Sequence, residues 1–335
     1  MKLAHLLTRF SPDEHPGGVE RVVDELATRQ AEEHDVEVIC RNQFDDPAEE
    51  QRNGYTVRRA KVVDFSGLRT LSSFPSMRKL IQQSDADVFH IHDWSPYLNY
   101  RVAGSPAKSV LTLHNINEGL PQRILQRRSI MHADTVTCVT QELAGRVESR
   151  YGREAAVIHN GTDTETFTPG NEGDGVVFVG NLIESKGIKE LCDAATALDL
   201  ELTVVGDGPL RAELEDSFPT VDFVGEVPYS SVPEYLERAA YVALPSRTEG
   251  FGLAWIEALA AGKPVLCTDT GIGAEIPPDC GVRIPADYTQ QELEEGLQEL
   301  VGQDFDPDTI RSYAEDNFDW DNIAERYENE YRELV

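Results

Sequence analysis

The stretch Tyr241-Val242-Ala243-Leu244-Pro245-Ser246-Arg247-Thr248-Glu249-Gly250-Phe251-Gly252-Leu253-Ala254-Trp255-Ile256-Glu257-Ala258-Leu259-Ala260-Ala261-Gly262 carries the reading of the whole chain. Its first four residues form an apolar run of the kind that makes a buried parallel strand. A polar, glycine-flanked loop follows. The chain then turns almost wholly apolar over Leu253–Ala261, at a length that suits a short buried helix. Gly262 and Pro264 stop that helix, the first as a C-terminal cap and the second as a breaker. Inside it stands one carboxylate, Glu257, and a second, Glu249, lies on the loop before it. A buried ionised carboxylate needs a partner. The helix offers no base, and Lys263 lies just past its end. A polyhydroxyl ligand at the helix N-terminus would answer for both glutamates. Eight residues of helix rise by about 12 Å, so the pair is too far apart to act on one small group.

The same strand–loop–helix habit extends in both directions. Strands are expected at Leu3–Leu7, Val36–Cys40, Val88–His92, Val110–His114, Thr135–Val139 and Ala156–His159, with helices such as Val19–Glu32 and Pro75–Gln83 between them. The second half repeats it. Strands are expected at Val176–Val179, Leu202–Val205, Val221–Val224, Tyr241–Leu244, Pro264–Thr268 and Val282–Ile284. The intervening helices fall at Ile188–Ala197, Pro209–Asp216, Ser231–Arg238, Leu253–Ala261 and Gln290–Leu300. Such alternation predicts an α/β chain with parallel sheets covered by helices. A turn-rich break at Thr162–Gly175 divides it into two doubly wound domains, 1–161 and 162–310. A C-terminal helical segment, 311–335, should dock its aromatics, on the N-terminal domain by one reading. Ligands of open parallel sheets bind beyond the carboxyl ends of the strands. That rule shortens the list of candidate site residues.

Composition excludes several classes. The chain has 335 residues and a formal net charge of −30, which disfavours a nucleic-acid binder. Only 7 of its 30 basic residues are lysine. A carboxylate-rich, lysine-poor surface fits a salty cytoplasm, where a Debye length of about 3 Å at 1 M screens self-repulsion; the alternative is an ordinary acidic enzyme. The five cysteines are scattered without paired spacing, as expected for buried thiols in a reducing compartment. The first ten residues read as a strand rather than a signal peptide, and no apolar run reaches membrane-span length. A cytoplasmic protein is expected, with peripheral contact at the inner face of the membrane left open.

Several loops at strand ends carry chemistry-bearing residues. Gly17-Gly18 opens a helix and bares backbone N–H groups, a weak anion-site signal beside the simpler reading of a tight turn. His114 ends one strand, where a crevice-facing histidine and a satisfied core histidine weigh evenly. His90, His92 and Asp93 end another and suit positioning; no fourth ligand of metal spacing accompanies them. Lys186, in Gly180-Asn181-Leu182-Ile183-Glu184-Ser185-Lys186-Gly187, stands just before a helix as a phosphate-reaching lysine would, although the spacing is not that of a P-loop. Gly206-Asp207-Gly208-Pro209-Leu210-Arg211 is a truncated dinucleotide fingerprint with Arg211 where its third glycine should be. Asp-x-Asp pairs at Asp85 and Asp306 are expected by chance among 60 acidic residues, and no metal is assigned.

Taken together, these pieces resemble the retaining glycosyltransferases of family 4, over nearly the whole chain. The resemblance rests on Gly17-Gly18-Val19-Glu20-Arg21, Thr112-Leu113-His114-Asn115, His159-Asn160-Gly161-Thr162-Asp163, Val179-Gly180-Asn181 with Lys186-Gly187, Gly206-Asp207-Gly208-Pro209, and Glu249 through Glu257. The last is similar to the family's Glu-x7-Glu motif. The resemblance implies a GT-B fold, two doubly wound Rossmann-like domains facing across a cleft. It implies transfer of a hexose-type sugar from a nucleotide-diphosphate sugar to a lipid-linked, glycan or small-molecule acceptor, without a metal or other cofactor. Glu249, Lys186 and His114 would be the catalytic set. Glu249 would hold sugar hydroxyls with the Gly250, Phe251 and Gly252 backbone, and Glu257 would grip the ribose. Lys186, Gly17 and Gly18 would meet the diphosphate, His114 the sugar, and Val224–Val227 the base. Where many members have arginine this chain has Asn181, which removes a charge from the diphosphate site. Arg247 could compensate, its other reading being a plain surface ion pair. The competing functions are an epimerase or phosphorylase of the same fold, and a non-catalytic nucleotide-sugar binder.

Overall fold

The computed structural model describes residues 1–11, 18–42, 46–62, 74–116, 119–169 and 173–335. The chain divides into two units, Met1–Asn160 with Trp320–Val335, and Gly161–Asp319. The C-terminal helical segment is thus shared: it belongs to the second unit up to Asp319 and to the first from Trp320.

In the first unit the chain runs β1 (Lys2–Arg9), α1 (Gly18–Gln30), β2 (Asp35–Arg41), β3 (Glu49–Arg52), β4 (Tyr55–Ala60), α2 (Phe74–Gln83), β5 (Val88–His92), α3 (Trp94–Ala103), β6 (Lys108–Leu113), α4 (Leu120–His132), β7 (Thr135–Cys138), α5 (Gln141–Tyr151) and β8 (Ala156–Val157). The sheet order is β3-β4-β2-β1-β5-β6-β7-β8. Among the described residues only β3 and β4 pair antiparallel. They are joined through Asn53-Gly54, both at positive φ (40° and 90°), as a two-residue hairpin requires. The other strands are parallel, and β1 lies between β2 and β5 in the register Leu3↔Val36 and Leu3↔Val88. One face of this sheet packs Leu3, Leu7, Val36, Val38 and Cys40 against Val22, Val23 and Leu26 of α1. The last helix of the chain, Trp320–Leu334, completes that layer with Trp320, Ile323, Tyr327 and Tyr331, all buried.

The second unit contains β9 (Val176–Val179), α6 (Ile188–Ala197), β10 (Leu202–Val205), α7 (Arg211–Ser217), β11 (Asp222–Gly225), α8 (Val232–Arg238), β12 (Tyr241–Ala243), α9 (Leu253–Ala260), β13 (Val265–Thr268), β14 (Gly281–Ile284), α10 (Gln290–Gly302) and α11 (Pro307–Phe318); the final helix is α12. Its six strands run in the order β11-β10-β9-β12-β13-β14, with every pairing parallel. Strand order therefore reverses between β9 and β12, the switch point at which doubly wound sheets bind ligands. Where the chain enters and leaves this unit, Thr162 N–H donates to the Phe318 carbonyl at 2.7 Å. The Arg311 guanidinium donates to the carbonyls of Thr164, Phe167 and Ala260 at 2.8–2.9 Å. Both units are thus Rossmann-like, as the alternation predicts. No described helix is long and apolar enough to cross a membrane. All five cysteines are buried and free of disulfides.

Candidate functional site

The two loops that flank the switch point of the second unit carry Lys186 and Glu249. After β9 the chain makes a 3-10 turn at Glu184–Lys186 and reverses through Gly187, at φ 66°, into α6. A Cβ at Gly187 would lie 2.4 Å from the Pro245 carbonyl and 2.2 Å from the Tyr288 hydroxyl. Only a residue with neither a side chain nor a φ preference passes there. The loops are then joined backbone to backbone, Arg247 N–H donating to the Ser185 carbonyl at 2.8 Å. On that frame the Lys186 ammonium donates to Glu249 Oε1. The side chains are 23% and 15% exposed, so the pair is shielded yet reachable. An ammonium has three N–H donors, and the other two can face a ligand.

Glu257 stands in the second turn of α9 and is 4% exposed. Its partner is Tyr229, whose hydroxyl donates to Oε1 at 3.0 Å. Tyr229 opens the 3-10 turn Tyr229–Ser231 after β11, next to the Val224–Val227 segment. Nothing in the sequence singles it out, because its turn and α9 meet only through the sheet's topology. The β13 loop supports the same frame: Ile272 N–H donates to the Phe251 carbonyl at 2.8 Å, and Thr268 Oγ1 to the Ser246 carbonyl at 2.6 Å. Phe251 is buried and meets Phe318 edge to face at 6.4 Å.

The Gly206-Asp207-Gly208-Pro209 motif has a structural explanation. A Cβ at Gly206, where φ is 140°, would lie 2.0 Å from the Gly180 carbonyl oxygen. Leu182 N–H donates to the Asp207 carbonyl at 3.0 Å, and Leu210 N–H to the Leu182 carbonyl at 3.2 Å. The glycines let this loop brace Gly180-Asn181-Leu182. The Arg211 that breaks the dinucleotide fingerprint pairs with Asp207 at 2.8 Å and with Glu215 at 2.8 Å. Asn181 itself is exposed. Arg247 lies over the Tyr288 ring at 4.2 Å and pairs with Glu190 at 3.0 Å.

In the first unit, Gly18 is the first residue of α1, and Gly17 lies outside the described residues. His114 follows β6 and is 7% exposed. It heads a buried row of histidines. His114 Nε2 is 3.3 Å from His92 Nδ1, His92 Nε2 is 3.1 Å from His5 Nδ1, and His5 Nε2 is 2.7 Å from Gln30 Oε1. His90 lies beside the row, bonded to Thr112 at 2.7 Å and to the Tyr331 hydroxyl at 2.6 Å. Burial lowers the pKa of His5 and of His114 to about 4, and those of His90 and His92 well below the usual histidine range. Asp93, at φ 70°, is pushed up to about 6 by the same cause.

Two groups here have the spacing of metal ligands, His5 with His90 and His92, and Glu33 with His34 and Glu328. In the first, all six ring nitrogens are engaged in the hydrogen bonds just described. In the second, Arg332 donates to Glu328 at 2.5 Å and supplies the positive charge. Neither carries a metal assignment. The sequence pointed to His90, His92 and His114 by their strand ends. It did not point to His5 or Gln30, which sit on β1 and at the end of α1.

Residues 16–166 match Glycosyltransferase Family 4, and residues 173–303 match Glycosyl transferases group 1. An uncharacterized glycosyltransferase of Methanocaldococcus jannaschii is 25% identical over 293 residues, covering 81% of this chain and 82% of the relative. Sucrose-phosphate synthase from Thermosynechococcus elongatus superposes with a TM-score of 0.83 at 20% identity, covering 99% of this chain and 98% of that one. Anabaena HepE, solved in complex with UDP, gives 0.79 at 19% identity with 100% of both chains covered.

Proposed function

The chain belongs to the family 4 glycosyltransferases, with two Rossmann-like units of the GT-B type, and from that premise we propose a retaining hexosyltransferase that uses a nucleotide-diphosphate sugar. The observation that carries this reading is the Lys186–Glu249 pair at the switch point of the second unit, with Glu257 on the helix that follows. That HepE was solved with UDP supports a nucleotide-bearing donor. In this reading Lys186 and the N-terminal N–H groups of α9 hold the diphosphate, with Asn181 as a neutral hydrogen-bond donor beside it. Glu249 and the Gly250–Gly252 backbone take sugar hydroxyls. Glu257, oriented by Tyr229, takes the two hydroxyls of the ribose. In the first unit His114 accepts a hydrogen bond from a ligand hydroxyl. Arg247 acts by bracing the Glu249 loop.

The acceptor hydroxyl oxygen attacks the anomeric carbon on the face the diphosphate leaves. The carbon–oxygen bond to the diphosphate breaks, the new glycosidic bond forms, and the departing phosphate oxygen takes the hydroxyl proton. Charge develops on the leaving group, so donors aimed at it supply the largest catalytic contribution. A paired acid and nucleophile of glycosidase type is not needed. Glu249→Ala and Lys186→Ala should each lower turnover of a nucleotide sugar by about 100-fold or more. Unchanged turnover in both would sink the site assignment, and a product of inverted anomeric configuration would sink the stereochemistry.

A further inference from the structure

The buried histidines of the first unit form a hydrogen-bonded row with a direction. A neutral imidazole carries one N–H and one bare nitrogen, so each ring in such a row passes on the polarity it receives. The row ends at Gln30, whose side chain is fully buried at the close of α1. Gln30 Oε1 is 2.7 Å from His5 Nε2, a separation that suits N–H···O better than N–H···N. The amide nitrogen of Gln30 donates to the Tyr331 hydroxyl at 3.3 Å. The Tyr331 hydroxyl lies in turn 2.6 Å from His90 Nδ1. Both ends of the amide are thereby committed.

The consequence propagates. His5 bears its proton on Nε2, and its bare Nδ1 accepts from His92 Nε2–H at 3.1 Å. The bare Nδ1 of His92 accepts from His114 Nε2–H at 3.3 Å. His114 Nδ1 is then left as a lone pair. Among the described residues it has no hydrogen-bond partner, and it is not sealed from solvent. We infer that Gln30, His5 and His92 are positioning residues which hold His114 as its Nε2–H tautomer, so that Nδ1 is an obligate acceptor for a ligand O–H and repels a carboxylate or phosphate oxygen. The low proton affinity of the buried rings keeps the row neutral near pH 7. The use made of His114 rests on the function proposed above; its tautomer does not.

The test is the two-bond proton–nitrogen spectrum of protein labelled with nitrogen-15 in its histidine rings, with His114 assigned through His114→Gln. The wild type should show His114 protonated at Nε2 and bare at Nδ1; the opposite tautomer overturns the inference without any variant. In Gln30→Leu the His5 Nε2–H would lose its acceptor. Burying an unpaired N–H is costly, so the row should reverse and His114 should move toward the Nδ1–H tautomer. An unchanged His114 in this variant and in His92→Phe also overturns the inference. With the row reversed, kcat/KM for a nucleotide sugar should fall by up to about tenfold, the worth of one hydrogen bond. A tautomer that moves while kcat/KM holds leaves the row standing and removes His114 from the proposed ligand contacts.

Discussion

At the scale of single residues, the candidate site is held by groups that never touch a ligand in the proposed reading. Gly206 shows this best. Its motif resembles a phosphate-binding fingerprint, yet its role is to let two backbones pass, with the Gly180 carbonyl 2.0 Å from where a Cβ would be. Gly206→Ala should therefore displace the Gly180–Leu182 loop, destabilise the protein by about 1–3 kcal/mol and weaken nucleotide binding. Chemical denaturation and calorimetric titration with a nucleoside diphosphate would measure both. Full stability with native affinity would refute the bracing role. Glu257 makes the complementary point. Its burial looks costly in the sequence, and the Tyr229 hydroxyl at 3.0 Å answers for part of that cost.

Among the elements, α12 is the one whose place the sequence left open. Its alternation of acidic and aromatic residues reads as an amphipathic helix, and its apolar stripe is Trp320, Ile323, Tyr327 and Tyr331. These side chains close the core that α1 shares with β1 and β2. Tyr327 also places its hydroxyl 3.4 Å from Thr112 Oγ1, and its ring 4.6 Å from that of His90. The helix therefore covers the histidine row as well as the aliphatic layer. Tyr327→Ala should cost about 3–5 kcal/mol in the first unit, the range for a fully buried aromatic, seen as a lower urea midpoint. A midpoint within error of the wild type would show that α12 adds nothing to that core.

For the molecule as a whole, protonation equilibria and charge set the working conditions. A histidine whose folded pKa lies below its unfolded value binds more protons when unfolded. Its contribution to stability is complete above about pH 6.5 and is lost as pH falls toward the folded pKa, about 4 for His5 and His114. Asp93, raised to about 6, acts in the other direction: it favours the folded state most at low pH and less as pH rises through 6. Four lowered histidines outnumber the two raised carboxyls, Asp93 and Glu330, so the melting temperature should fall as pH drops from about 6.5 to 4. His5→Leu should flatten that slope, and a melting temperature independent of pH over this range would contradict the account. The net charge of −30 adds self-repulsion, so molar salt should raise the whole curve.

What local pattern can carry was legible in the sequence. Apolar runs set β9 and α6 to the residue, Val176–Val179 and Ile188–Ala197. The strand-end rule pointed to Lys186, Glu249 and His114, because a parallel strand must release its chain at its carboxyl end. Asn53-Gly54 signals the hairpin β3–β4, but a short polar strand such as Glu49–Arg52 lacks the apolar run that marks a buried one. Partners distant along the chain could not be read at all. Tyr229 meets Glu257, Gln30 meets His5 and Tyr331, and Gly206 meets Gly180 only after the order of strands has brought their loops together. The sequence by itself determined the apolar strands, the doubly wound class and the chemistry of the groups at the strand ends. Tertiary structure alone decided which of those groups are paired, because hydrogen bonding depends on separations of a few ångströms that no spacing along the chain encodes.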